Sequence, residues 1–186
     1  MSTAPLQAAI ASTRTELAAV GPEHLDAATP CESWKVRDLI NHIVGAQHFF
    51  LAVVEGAPPS GAETDVAGGD YLGAFDDVSG RLVAAFAAEG IMDKILTAPF
   101  GQMPGHAFIG FAVNDTFVHG WDLAKSTGRS TDLAPELAAG VLEGVKRSIP
   151  DAMRGDDGQK PFGTVQQAPA GATNADQLAA FLGRRL

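Results

Sequence analysis

The chain has 186 residues, of which 46% are hydrophobic and 19% are charged, so it is long and apolar enough to bury one sizeable core and is not intrinsically disordered. Its 13 basic and 22 acidic side chains give a formal net charge of −9, which argues against a nucleic-acid binder and against docking on anionic membranes. The single cysteine, Cys31, excludes an intramolecular disulfide.

Apolar residues recur mostly at intervals of three and four, which is typical of helices. Gly21-Pro22 and Gly56 end predicted helices, and Pro135 suits the first turn of another. In chain order we predict helices over residues 6–20, 33–55 and 71–89, a loop or small hairpin over 94–104, helices over 106–126 and 135–148, and a short helix over 176–182. These lengths predict an all-α fold: one domain over residues 1–186, built as a four-helix bundle with small additional helices and a short irregular or hairpin insertion.

The second predicted helix places its two histidines on different faces at about 100° per residue. His42 shares a face with Leu39 and Ala46 and is expected inside, whereas His48 shares a face with Arg37 and Glu55 and is expected at the surface. A lone histidine on an apolar face is most often a core residue bonded to a carbonyl. His42 by itself therefore does not predict a ligand.

Asp115 and His119 stand four residues apart, so their side chains leave the same face of the fourth predicted helix. Phe111 on that face indicates that the pair looks toward the core, where a carboxylate is costly unless it is paired or bound to a cation. Together with His42 from a facing helix, the pair offers two nitrogens and one oxygen, the ligand set of an open zinc site that nickel or iron(II) also accepts. The alternative is an Asp–His hydrogen bond or a solvated pair without metal, and the spacing alone leaves both open.

Five residues are expected to surround such a site: three from the inward face of the fourth predicted helix, one from the start of that helix and one from the second helix. The predicted pocket residues are Phe49, His106, Phe108, Phe111 and Ala112. Asp122, three residues after His119, is expected to accept a hydrogen bond from a ligand histidine and fix its tautomer, or to pair with a lysine or arginine. Cys31 is interpreted as a buried structural thiol, with a nucleophile or an extra ligand as the alternative.

Two blocks of the sequence resemble the mycothiol-dependent maleylpyruvate isomerase N-terminal family, a part of the DinB-like superfamily. The first block comprises Thr29-Pro30-Cys31, Trp34, Val36-Arg37-Asp38-Leu39 and His42-Ile43-Val44-Gly45; the second comprises Pro99-Phe100-Gly101, Pro104-Gly105, Val118 to Ala124 and Thr127-Gly128. The ending Ala180 to Arg184 resembles that of small members described only as metal-binding proteins.

The resemblance implies a DinB-like four-helix bundle that holds a divalent metal, usually zinc. The family's ligands are a histidine on the second helix and the glutamate and histidine of an E-x-x-x-H motif, which correspond here to His42, Asp115 and His119. Asp115 replaces the glutamate, so its carboxylate reaches about 1.5 Å less far. We expect no counterpart of the isomerase's additional C-terminal domain in the short tail.

Three hypotheses follow. In the first, a metal and a small thiol such as mycothiol serve an enzyme that transfers the thiol to a small electrophile or isomerises the electrophile. In the second, the protein binds metal and a small molecule, as a binding or stress protein, without turnover. In the third, the His–Asp pair is structural. We expect a cytoplasmic protein that binds neither nucleic acid nor membrane, and the resemblance also allows a homodimer.

Overall fold

Four long helices form the bundle in the computed structural model, which describes residues 2–58, 65–156 and 159–186. They are α1 (Ala4–Leu17), α2 (Val36–Glu55), α3 (Tyr71–Ala87) and α4 (Gly105–Ser126). Helix α4 packs against α1 and α2, and α3 packs against α1 and α2 on the other side. The shorter helices α5 (Pro135–Ser148) and α6 (Asn174–Phe181) pack on each other and on α4.

This architecture confirms the predicted all-α DinB-like bundle with small additions. The predicted insertion is a two-stranded antiparallel hairpin, β1 (Ile95–Ala98) and β2 (Gly101–Pro104), which lies against α2 and α4. Its turn contains Phe100. None of the helices in the described ranges is long and apolar enough to cross a membrane.

Local capping sets the helix ends. Helix α2 begins at Val36 rather than at residue 33, because the Asp38 carboxylate accepts a hydrogen bond of 2.9 Å from the Lys35 amide and so closes the first turn. Its end at Gly56 is as predicted: Gly56 has φ of 74°, in the left-handed region that glycine occupies without strain.

A buried polar contact holds α1, α2 and α4 in register. Gln47 of α2 donates to the Thr116 hydroxyl at 2.7 Å, and the Thr13 hydroxyl of α1 donates to the Thr116 carbonyl at 2.7 Å. All three side chains are buried, so the bonds are shielded from competing water. The contact fixes α2 relative to α4 at the residue that follows Asp115, about one turn before His119.

The closest approach of α1 and α4 occurs at Gly120. A Cβ added there would overlap the Thr13 hydroxyl and lie 3.1 Å from Thr13 Cα. Because backbone and a buried side chain would have to move, Gly120→Ala is expected to lower the free energy of unfolding by about 1–3 kcal/mol. Urea unfolding of the metal-free protein measures this loss.

Gly110 provides the matched control on the same helix. It is exposed, and an added Cβ would meet nothing within 4 Å. Gly110→Ala is therefore expected to stabilise the helix by about 0.5–1 kcal/mol, because alanine is the better helix former. If Gly120→Ala were as stable as Gly110→Ala, the close packing of α1 on α4 would be wrong.

Candidate metal centre

Helices α2 and α4 bring His42, Asp115 and His119 together, at the place where the two helices face one another. Asp115 Oδ1 lies 3.5 Å from His42 Nε2 and 3.7 Å from His119 Nε2. One ligand atom from each of the three side chains lies within 4.8 Å of the other two. Two ligands of a zinc ion with bonds of about 2.0–2.2 Å stand little more than 3 Å apart in a tetrahedral site. The side chains therefore need only a small contraction to share one ion.

The chemistry of this cluster fits a divalent cation. His42 Nε2 is buried and has no hydrogen-bond partner among the described residues, although it points toward Asp115. A buried polar atom without a partner is costly, and a metal ion would satisfy it. Two neutral imidazoles and one carboxylate are also the mixed nitrogen and oxygen set that open zinc sites use. The shorter carboxylate of Asp115 thus reaches both histidines.

The charge state of Asp115 suits the same role. Burial by itself would raise the pKa of this carboxyl group, but His42, His119 and Arg184 together hold the pKa below its ordinary value. The group is therefore ionised at neutral pH and available to a cation.

His119 is oriented by Asp122. Its Nδ1 donates a hydrogen bond of 2.9 Å to Asp122 Oδ2, which leaves the lone pair of Nε2 facing Asp115. Asp122 thus makes one of the two contacts expected of it, with a candidate ligand histidine. The other predicted contact also exists: the Arg184 guanidinium donates to both carboxylate oxygens of Asp122, at 3.2 and 3.0 Å.

The Asp122–Arg184 pair is buried and ionised. The Asp122 side chain is fully buried, and that of Arg184 is 12% exposed. Burial opposes both charges, but Arg184 and His119 lower the pKa of Asp122, while Asp122 raises the pKa of Arg184. The pair therefore anchors the C-terminal segment behind His119.

Trp34 packs over the two histidine rings. Its ring centroid lies 4.6 Å from that of His42 and 5.7 Å from that of His119, and the two imidazoles meet edge to face at 4.5 Å. The indole thus restricts the rotation of both rings and covers one side of the cluster.

Cys31 lies in the same region, and its exposure and polar contacts contradict its interpretation as a buried structural thiol. It is half-buried, and its Sγ lies 3.5 Å from Asp122 Oδ2 and 3.6 Å from Arg184 Nη2. Cys31, His119 and Asp122 form a second cluster with metal-ligand spacing. Because Asp122 already accepts from His119 and Arg184, we favour the cluster of His42, Asp115 and His119 for a metal.

The three residues open into a cleft of about 950 Å³. It is lined by α2, α4, the loop before α2, the hairpin turn and the C-terminal segment. Of the predicted pocket residues, Phe49 and Phe111 line the cleft. Clefts of this size are typical of small-molecule sites.

The other three predicted pocket residues lie elsewhere. Phe108 and Ala112 are fully buried, and Phe108 packs against the rings of Phe50, Phe86 and Phe100 in the core. His106 is exposed, and its Nδ1 contacts the Met92 carbonyl at 3.0 Å. The face of α4 that meets the cleft carries residues 111, 114, 115, 118 and 119. Phe108 and Ala112 lie beside this face on the helix and point into the bundle.

His48 is outside the cleft and outside both metal-like clusters among the described residues, as its helix face predicts. It is half-buried rather than fully exposed. Sequence reasoning missed Trp34 and Arg184 as neighbours of the centre. The only signal for Arg184 was its place in the ending that resembles small metal-binding relatives.

Residues 6–124 match the family described as the mycothiol maleylpyruvate isomerase N-terminal domain. Two uncharacterized proteins of Mycobacterium tuberculosis, from strain CDC 1551 / Oshkosh and strain ATCC 25618 / H37Rv, are each 38% identical to this chain over 172 residues. Each similarity covers 90% of this chain and 89% of the relative. No solved structure is significantly similar to the chain. The chain belongs to the mycothiol maleylpyruvate isomerase N-terminal domain family.

Proposed function

We propose that this protein holds a divalent metal, zinc first, with His42, Asp115 and His119, and uses it to transfer a small thiol such as mycothiol to a small electrophile, or to isomerise the electrophile with the thiol's help. The observation that carries the proposal is the convergence of the three side chains at the wall of a ligand-sized cleft, with His42 Nε2 buried and without a hydrogen-bond partner among the described residues. The family description supplies the thiol class.

A zinc ion in this position would lower the pKa of a bound thiol and so favour the thiolate, which is the nucleophilic form. The chain's own residues supply the rest. Asp122 keeps the proton on Nδ1 of His119 and thereby keeps Nε2 available. Trp34 covers one side of the two histidine rings and reduces access of water to them, which strengthens electrostatic interactions at the centre.

The test is a conjugation assay with mycothiol and a panel of electrophiles, using protein loaded with one equivalent of zinc. We expect a rate above the uncatalysed reaction for at least one electrophile, and loss of that rate in His119→Ala. His48→Ala is the matched control, because it removes a histidine of α2 that lies outside the cleft.

Two outcomes would contradict the catalytic proposal. Equal rates with and without protein across the whole panel, in protein that retains zinc, would favour the non-catalytic binding or stress protein. An unchanged rate in His119→Ala would mean that the reaction does not depend on the metal centre. Metal analysis of protein purified without added metal or chelator distinguishes the enzyme and the binding protein, which both hold a metal, from the structural hypothesis, in which no metal is bound.

A further inference from the structure

The cleft has two unlike sides with the metal centre between them. Helix α2 enters from the loop that contains Cys31 and Trp34, passes His42, and reaches Phe49 two turns later, about 10 Å along the axis. Helix α4 runs the opposite way, with Phe111 one turn before Asp115. One side of the cleft is therefore formed by the loop and the C-terminal segment, and the other by phenylalanines.

The phenylalanine side consists of Phe49, Phe100 and Phe111, which we call the aromatic wall. Phe100 contacts both of the others, with ring centroids 6.3 Å from Phe49 and 5.5 Å from Phe111. Phe100 is 57% exposed and Phe111 is 39% exposed. Apolar rings that converge on a concave surface and remain exposed are typical of a ligand site.

The opposite side carries charged and hydroxyl-bearing side chains among apolar ones such as Phe162 and Leu182. Arg184, Arg185 and Lys160 line it, together with the thiol of Cys31 and the hydroxyl groups of the loop before α2. A hydrophilic thiol can form hydrogen bonds with the charged and hydroxyl groups there, whereas the phenyl rings of the aromatic wall carry no such group. The two reactants would then approach the centre from different sides.

We infer that the electrophile is an aromatic compound whose ring lies against the aromatic wall, with its reacting carbon directed to the metal centre; this rests on the proposed function. The cleft is concave and has the volume of a small-molecule site, which favours a small ligand over a protein partner on these rings. In the step, the thiol sulfur forms a bond to a carbon attached to the ring, the leaving group departs with its electron pair, and the thiol proton goes to solvent.

The experiment compares two thioethers that cannot react, N-acetyl-S-benzylcysteine and N-acetyl-S-methylcysteine, which differ by the phenyl ring. Their dissociation constants are measured by calorimetry on zinc-loaded protein and again on metal-free protein. We expect the benzyl compound to bind at least about tenfold more tightly, because its ring is transferred from water to the apolar surface of the aromatic wall. Phe100→Ala and Phe111→Ala should each reduce this preference by about threefold or more.

Ile95→Ala is the matched control. Ile95 lies on the same hairpin as Phe100 and is equally exposed, at 57%, but does not line the cleft. The preference should be unchanged in this variant. Because no turnover is needed, a failed conjugation assay would not affect the comparison.

The inference is overturned if the wild-type protein binds both thioethers equally or neither measurably. It is also overturned if the benzyl preference survives both phenylalanine substitutions. A third contrary result is an unchanged preference together with a change of oligomeric state in Phe100→Ala, measured by light scattering. The wall would then be an interface with a second copy of the chain.

Discussion

His119→Ala and His42→Ala should each lower the affinity for zinc by more than about a hundredfold, whereas His48→Ala leaves it unchanged. Each of the first two substitutions removes one of three ligands, and loss of a residue that only supports a ligand already costs about 10–100-fold in affinity. The two sites are on different helices, so equal losses would show that α2 and α4 share one ion. Competition with a chromophoric chelator measures the affinity.

The three variants also distinguish the metal centre from a structural histidine pair. Circular dichroism should report a folded protein in each case, because His42 and His119 lie at the cleft rather than in the apolar core. Loss of zinc in His48→Ala, with the fold intact, would mean that the faces of α2 are assigned wrongly. Retention of zinc in His119→Ala would contradict both clusters, because His119 belongs to each of them, and would point to no specific site.

Helix periodicity is what made this centre predictable. The interval of four between Asp115 and His119 fixes a common face wherever the helix lies, and the apolar neighbours of His42 indicate an inward direction. The helices and the hairpin were predicted for the same reason, because apolar spacing and Gly or Pro stops are local signals.

The surroundings of the centre depend on tertiary packing and were predicted less well. Phe108 and Phe111 both fall within the apolar stripe of α4, but only the angle at which α2 crosses α4 decides that Phe111 meets the cleft and Phe108 the core. Arg184 follows Asp122 by 62 residues, and nothing local to either residue indicates their contact. Arg184 follows Cys31 by 153 residues, so no local signal indicates that contact either.

Asp122→Ala is expected to cause the largest loss of stability among polar substitutions at the centre. It would leave the Arg184 guanidinium, 12% exposed in its side chain, without its buried partner, and the His119 Nδ1 donor without an acceptor. Removal of one member of a buried ion pair typically costs about 3–5 kcal/mol, because the remaining charge is uncompensated. Urea unfolding of metal-free protein measures this cost separately from any loss of zinc.

The pair of Arg14 and Asp76 is the control, since it joins the same two residue types with two bonds of 2.7 Å but at the surface. Its side chains are 47% and 40% exposed, so water and salt screen the charges. Asp76→Ala should therefore change the free energy of unfolding far less than Asp122→Ala. If the two losses were similar, Arg184 would be free to turn toward solvent, and the C-terminal segment would not be anchored behind His119.

The double variant Asp122→Ala, Arg184→Met removes both charges of the buried pair and should therefore recover part of the stability. It should not recover the zinc affinity, because no acceptor would then hold the Nδ1 proton of His119.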